Sequence, residues 1–185
     1  MKELSLNLLD VATNSITAGA TTIRLKVVYE TSSHTLTMSI EDDGCGMSEE
    51  MLSRVCDPFT TSRTTRKVGL GLPLFRQSAE STGGSFDISS TLGKGTLVVA
   101  RYRTDNIDCM PMGDLCGTVI TLLQYAPNVR WILTYGVDGR EFVFDLQEVK
   151  AILGDVNVDS PEVLSFLRDY IKQNINTING GEEIL

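Results

Sequence analysis

Asp42-Asp43-Gly44-Cys45-Gly46-Met47 follows, one residue on, the run Thr35 to Ile40, in which apolar and polar side chains alternate. Alternation with a period of two predicts a strand with one wet face. The acids and glycines therefore stand at the mouth of a sheet, where a turn is one sufficient explanation of them. They also have a chemical reading. A carboxylate at the end of a strand can accept a hydrogen bond from the exocyclic amine of adenine, and two glycines let the backbone pass close to a base and its ribose. The spacing Asp-x-Gly-x-Gly selects Asp42 for that contact, with Gly44 and Gly46 as its glycines, and leaves Asp43 as the middle residue.

Working outward toward the N-terminus, Ile23 to Tyr29 alternates in the same way, and Thr31-Ser32-Ser33-His34 predicts the turn of an antiparallel hairpin. Before it, residues 3 to 18 predict a helix with Leu4, Leu8, Leu9, Val11, Ala12 and Ile16 on one face, ended by Gly19. The opposite stripe carries Glu3, Asn7, Asp10, Thr13, Asn14 and Thr17. It reads either as a solvated surface or as a cation site. In the second reading Asn14 offers an amide oxygen to Mg²⁺, which takes oxygen ligands and keeps phosphates and waters in its shell. Asp10, one turn earlier, can then orient or deprotonate a water.

Toward the C-terminus, Ser48 with Glu49 and Glu50 predicts the start of a short helix reaching about Cys56. Residues 57 to 68, rich in Thr, Ser, Arg and Lys, read as a mobile loop. Gly69-Leu70-Gly71-Leu72 then leads through Pro73 into a helix closed by Gly83-Gly84. Backbone amides at a helix start bind phosphate, and glycines remove side chains that would block its approach. The alternative phosphate cradle, Gly-x4-Gly-Lys-Ser/Thr, occurs nowhere in the chain. Arg63, Arg66, Lys67 and Arg76 flank the loop, either as partners for a triphosphate or as a solvated charged surface. Gly93-Lys94-Gly95-Thr96 joins Ser85–Ser90 to Thr96–Arg103 as a hairpin turn, a nucleotide contact, or both. The order α-β-β-α-loop-α-β-β predicts an α+β fold of two layers.

The composition shifts after Thr104. Residues 1–104 hold 11 acidic and 11 basic side chains and residues 105–185 hold 13 and 5, so the second segment carries the whole net charge of −8. A smaller acidic α+β domain is expected over 105–185. Its predicted elements are a helix over Leu115–Tyr125, strands over Trp131–Val137 and Glu141–Phe144 about an Asp138-Gly139 turn, and helices over Leu146–Leu153 and Pro161–Ile175. Such charge argues against a nucleic-acid partner. The apolar runs are far shorter than the roughly 20 residues of a membrane helix. The N-terminus lacks the apolar core of a signal peptide, so a cytoplasmic location is expected. Cys45, Cys56, Cys109 and Cys116 show no Cys-x-x-Cys spacing, and a zinc site is not expected.

Taken together, the segments resemble the ATPase superfamily of gyrase B, the large heat-shock chaperone, histidine kinases and the mismatch-repair ATPase, over residues 3 to about 103. The resemblance implies a two-layer α/β sandwich of the histidine kinase-like ATPase type, with ATP and Mg²⁺ as cofactors. It matches Asn14 to the Mg²⁺ ligand and Asp42 to the adenine-binding aspartate. It matches Gly69, Leu70, Gly71 and Leu72 to the phosphate loop, with Lys67 nearby, and Gly95 and Thr96 to the last nucleotide contact. Asn14-Ser15 through Ala18-Gly19-Ala20-Thr21 is similar to the mismatch-repair version, and Asp57-Pro58-Phe59-Thr60-Thr61-Ser62 to the ATP lid of histidine kinases.

Two departures shape the functional expectation. Hydrolysing members carry glutamate where this chain has Asp10, one methylene shorter. No pair of dimerisation helices precedes the asparagine helix, and His34 falls in a predicted turn, so self-phosphorylation is not expected. The expected protein binds Mg-ATP, hydrolyses it slowly or not at all through Asp10, and conveys its nucleotide state to a protein partner. The alternatives are a serine or histidine kinase acting in trans and a degenerate interaction module. The tail faintly resembles small stand-alone bacterial ATP-binding proteins, which implies a redox enzyme system as a partner.

Overall fold

The computed structural model describes residues 3–55, 71–154 and 158–181. Its elements are α1 (Leu4–Thr17), β1 (Thr22–Glu30), β2 (Thr35–Asp42), α2 (Glu49–Val55), α3 (Gly71–Ser81), β3 (Ser85–Thr91), β4 (Gly95–Arg103), α4 (Leu115–Tyr125), β5 (Arg130–Val137), β6 (Arg140–Asp145), α5 (Leu146–Leu153) and α6 (Pro161–Ile178). The strands form one sheet in the order β3-β4-β2-β1-β5-β6. Every neighbouring pair is antiparallel except β1 and β5, which run parallel. The fold is α+β.

Alternation in the strands decides which face is covered. Ile23, Leu25 and Val27 of β1, Leu36, Met38 and Ile40 of β2, and Val98, Ala100 and Tyr102 of β4 are buried under the helices. Arg24, Lys26 and Glu30 of β1 point the other way and are exposed. Asp42, at the end of β2, keeps the parity of Ile40 and so faces the helix layer.

Helix α1 is more enclosed than its periodicity predicts. Leu4, Leu8, Val11 and Ala12 are buried, and so are Ser5, Asn7 and Ser15. The polar stripe is covered only in part, with Asn7 buried while Asp10 and Thr17 stay exposed, and α3 and α4 both pack against α1. Asn7, only 1% exposed, therefore needs a partner inside the protein. Its Nδ2 donates to Ser78 Oγ of α3 at 3.1 Å, and Ser78 Oγ shares a hydrogen bond with the Tyr102 hydroxyl of β4 at 3.0 Å. Burial pushes the Tyr102 phenol well above its ordinary range, so this junction of α1, α3 and β4 is uncharged.

The division expected between residues 104 and 105 is crossed three times. β5 pairs with β1 from Thr22↔Arg130 to Tyr29↔Val137, which continues the sheet. Trp131, Leu133 and Phe144 join Leu8, Ile23 and Leu25 in one apolar cluster. The carbonyls of Pro111 and Met112 accept from Leu4 N at 3.0 Å and Ser5 N at 2.9 Å. These carbonyls satisfy the first amides of α1, whose N-cap residue Glu3 makes no side-chain cap.

Candidate nucleotide site

Asp42 is 8% exposed, at the point where β2 meets the helix layer. Ser15 Oγ of α1 donates to its Oδ2 at 2.5 Å, and Gly44 N donates to Oδ1 at 3.0 Å. One donor on each oxygen fixes the plane of the carboxylate, and hydrogen bonds to a buried charge offset the cost of desolvating it. Asp43 turns outward. Its carboxylate accepts from Thr21 N and Thr21 Oγ1, each at 2.7 Å, and from Thr22 N at 2.9 Å. Partial burial raises the Asp43 carboxyl, but the Thr21 and Thr22 donors outweigh it and leave it below the usual range. The two adjacent acids thus have separate work: Asp43 clamps the turn from α1 into β1, and Asp42 faces the helix layer.

The glycines around Asp42 bring backbone against backbone. Gly46 has φ of +62°, and a Cβ there would overlap the Thr91 carbonyl oxygen. At Gly95, φ is +116° and a Cβ would overlap the Asp42 carbonyl oxygen. Gly44 is tight against Ala18, whose Cβ would lie 2.9 Å from an added methyl. Thr96 stands directly opposite Asp42 in the β2–β4 register. Ser90 Oγ donates to Gly95 O at 2.9 Å, accepts from Met47 N at 2.8 Å, and lies 2.9 Å from Thr96 Oγ1. With the Ser90 proton committed to Gly95, Thr96 is the donor in that contact and its lone pairs stay available.

Gly71 opens α3 against the other side of α1. A Cβ at Gly71 would lie 3.1 Å from Asp10 Cβ and 3.7 Å from Asn14 Nδ2, so the start of α3 rests on the turn that carries both residues. Asp10 is exposed and Asn14 half-buried, and the Asn14 side chain has no hydrogen-bond partner among the described residues. Leu72 is 5% exposed and belongs to the apolar core. Arg76 pairs with Glu80 at 2.9 Å, one turn along α3. Lys67, Gly69 and Leu70, together with Arg63, Arg66 and the loop expected over 57–68, lie outside the described residues.

Asp10, Asn14, Asp42, Gly44, Gly46, Gly71, Gly95 and Thr96 thus come from α1, the two strand ends and the start of α3. Ser15 and Ser90 also belong to this site, and neither is among the expected nucleotide contacts. A signal for Ser15 was present: positions 4, 8, 11 and 15 form one helical stripe, Leu-Leu-Val-Ser, so a hydroxyl interrupts an apolar face. Ser90 had none, because its role depends on a turn that closes five residues later. Among the described residues, no group of three or more His, Cys, Asp or Glu side chains is placed to hold a metal ion.

The family described as histidine kinase-, DNA gyrase B- and HSP90-like ATPase matches residues 1–106. The chain belongs to this ATPase family. Over 99 residues it is 31% identical to the C4-dicarboxylate transport sensor protein DctB of Pseudomonas aeruginosa, a match covering 53% of this chain and 16% of that protein. Over 102 residues it is 31% identical to the sensor histidine kinase AruS of the same organism, covering 52% of this chain and 10% of that protein. The chain therefore spans a small part of these relatives' length. Among solved structures, the N-terminal domain of a DNA repair protein superposes with a TM-score of 0.52 at 11% identity, over 84% of this chain and 58% of that one. That likeness extends the shared fold beyond the family segment. The nucleotide-binding domain of the family thus occupies the first part of the chain, and no described helix is long and apolar enough to cross a membrane.

Proposed function

We propose that this chain is a Mg-ATP-binding regulatory protein that hydrolyses ATP slowly or not at all and conveys its nucleotide state to a partner protein. The observation that carries the reading is the Asp42 carboxylate, buried and held by Ser15 and Gly44 at the end of β2. Asp42 would take the adenine amine, with Gly44 and Gly46 giving the base its approach and Thr96 beside it. The amides at the start of α3, from Gly71, would face phosphate. The half-buried Asn14 amide suits an oxygen-loving cation, and Asn14 would be its protein ligand. Bound Mg²⁺ would neutralise phosphate charge there. Asp10, one turn earlier on α1, would lie beside that cation, and its side chain, one methylene shorter than glutamate, is the reason to expect weak activation of water.

The deciding assay supplies Mg-ATP labelled on the γ-phosphate and follows both free phosphate and labelled protein, with and without cell extract. The regulatory reading expects retained nucleotide, little phosphate release and no labelled protein. The second reading, a serine or histidine kinase acting in trans, is motivated by the match to a sensor histidine kinase. It expects a labelled protein in extract that disappears with Asn14→Ala.

A further inference from the structure

A groove of about 420 Å³ runs between α1 and α4 and ends at α6, away from Asp42 and Asn14. Its apolar wall is made by Leu6, which is 38% exposed, and by the half-buried Leu9 and Ile120. Its charged end is formed by Glu3, Asp114 and Arg168. Arg168 spends its charge on Asp114 Oδ2 at 2.7 Å, while Asp114 Oδ1 caps α4 through Gly117 N at 2.7 Å. Glu3 lies over Gly113 and has no hydrogen-bond or ion-pair partner among the described residues. Among the described residues, one carboxylate is therefore left uncompensated at the end of an apolar channel. Ser5 also lines the groove; it is fully buried and its hydroxyl has no partner among the described residues. A buried polar atom without a partner costs free energy that a ligand can recover.

We propose that this groove receives a basic amphipathic helix of the partner protein. An apolar stripe on the incoming helix would cover Leu6, Leu9 and Ile120, and a lysine or arginine would meet Glu3. Charge favours this occupant at long range as well, since residues 105–185 hold 13 acidic and 5 basic side chains and draw a cationic partner. The position also suits a reporter. Glu3, Leu6 and Leu9 line the groove from α1, the helix that carries Asp10, Asn14 and the Ser15 hydroxyl that holds Asp42. A helix seated there touches the element that frames the nucleotide site.

The proposal rests on the reading of the chain as a protein that reports to a partner, and its test needs no nucleotide. The probe is a fluorescein-labelled peptide of about five helical turns, with leucines on one face and lysines on the other. The control peptide has the same composition in scrambled order. Anisotropy with the full chain in physiological salt should show the amphipathic peptide binding at least about tenfold more tightly than the scramble, a difference of about 1.4 kcal/mol. Leu6→Glu, at an exposed position, should abolish that preference while circular dichroism and ATP affinity stay at the wild-type level. Glu3→Lys should weaken the amphipathic peptide alone. Equal binding of both peptides would reduce the effect to net charge and overturn the proposal, as would no binding or unchanged binding by Leu6→Glu. A wild-type dimer split by Leu6→Glu would assign the groove to a second copy and overturn it too. Wild-type chain that binds the peptide but not ATP would instead sink the nucleotide reading.

Discussion

At the scale of single residues, two neighbouring acids are shared between structure and chemistry. The order Asp42-Asp43 does not say which faces inward. Strand parity does, because Asp42 continues the inward series of Met38 and Ile40, while Asp43 falls outside the strand and is taken up by Thr21 and Thr22. That choice was legible in the sequence. The donor that holds Asp42 was not, since a serine in an apolar stripe gives no sign of which strand end it will meet. Ser15→Ala leaves Asp42 buried with one donor fewer and should cost about 1–3 kcal/mol in stability, measured as the shift of a urea midpoint at constant slope. Ser15→Thr should recover most of it, because the hydroxyl returns. Gly95→Ala should destabilise more than an ordinary loop substitution, since the new methyl meets the Asp42 carbonyl in a left-handed backbone.

At the scale of elements, helix and strand positions were readable because periods of 3.6 and two are written in the apolar residues. The environment of α1 was not. Periodicity shows which face is less apolar, and it cannot show that one end of that face will be covered and Asn7 buried beside Ser78 and Tyr102 while Asp10 stays exposed. Helix α5 offers a test in pH. Asp145, at 6% exposure, caps α5 through Gln147 N at 2.9 Å and pairs with Arg130 at 2.6 Å. The hydrogen-bonded Arg130 guanidinium lowers the Asp145 carboxyl below its usual value, against the opposing effect of burial. A carboxyl depressed on folding stabilises the native state above the unfolded value near about 3.9, and that stabilisation is lost as pH falls through the folded value. Urea midpoints should fall between pH 7 and pH 3. Asp145→Asn should lower stability at pH 7 and flatten this acid limb.

At the scale of the whole molecule, a boundary drawn from charge separates two stretches of sequence that share one sheet. The parallel pairing of β1 with β5 joins strands about a hundred residues apart. Local sequence cannot announce such a crossover, because β5 pairs with the open hydrogen-bonding edge of β1, which exists only once the sheet has formed. The single tryptophan, Trp131, lies in β5 and donates to Ala126 O at 3.0 Å, while Phe75 is buried under β3 and β4 at the other end of the sheet. With one continuous core, Trp131 fluorescence and far-ultraviolet circular dichroism should report a single coincident unfolding transition. Phe75→Ala should shift both by about 3–5 kcal/mol; two separated transitions would mean that the halves unfold apart.

Asp42 is proposed as the group by which this chain recognises ATP. Isothermal titration of Mg-ATP into wild-type protein and Asp42→Asn tests it most directly, because asparagine keeps the size, its Oδ1 can still accept from Gly44 N, and its Nδ2 can donate to the Ser15 hydroxyl, which is free to turn. Wild type should bind, and Asp42→Asn should bind at least about tenfold more weakly while its far-ultraviolet circular dichroism stays that of the wild type, as expected for losing a charge-assisted hydrogen bond of about 1.5–3 kcal/mol. Equal affinity for the two proteins would contradict it.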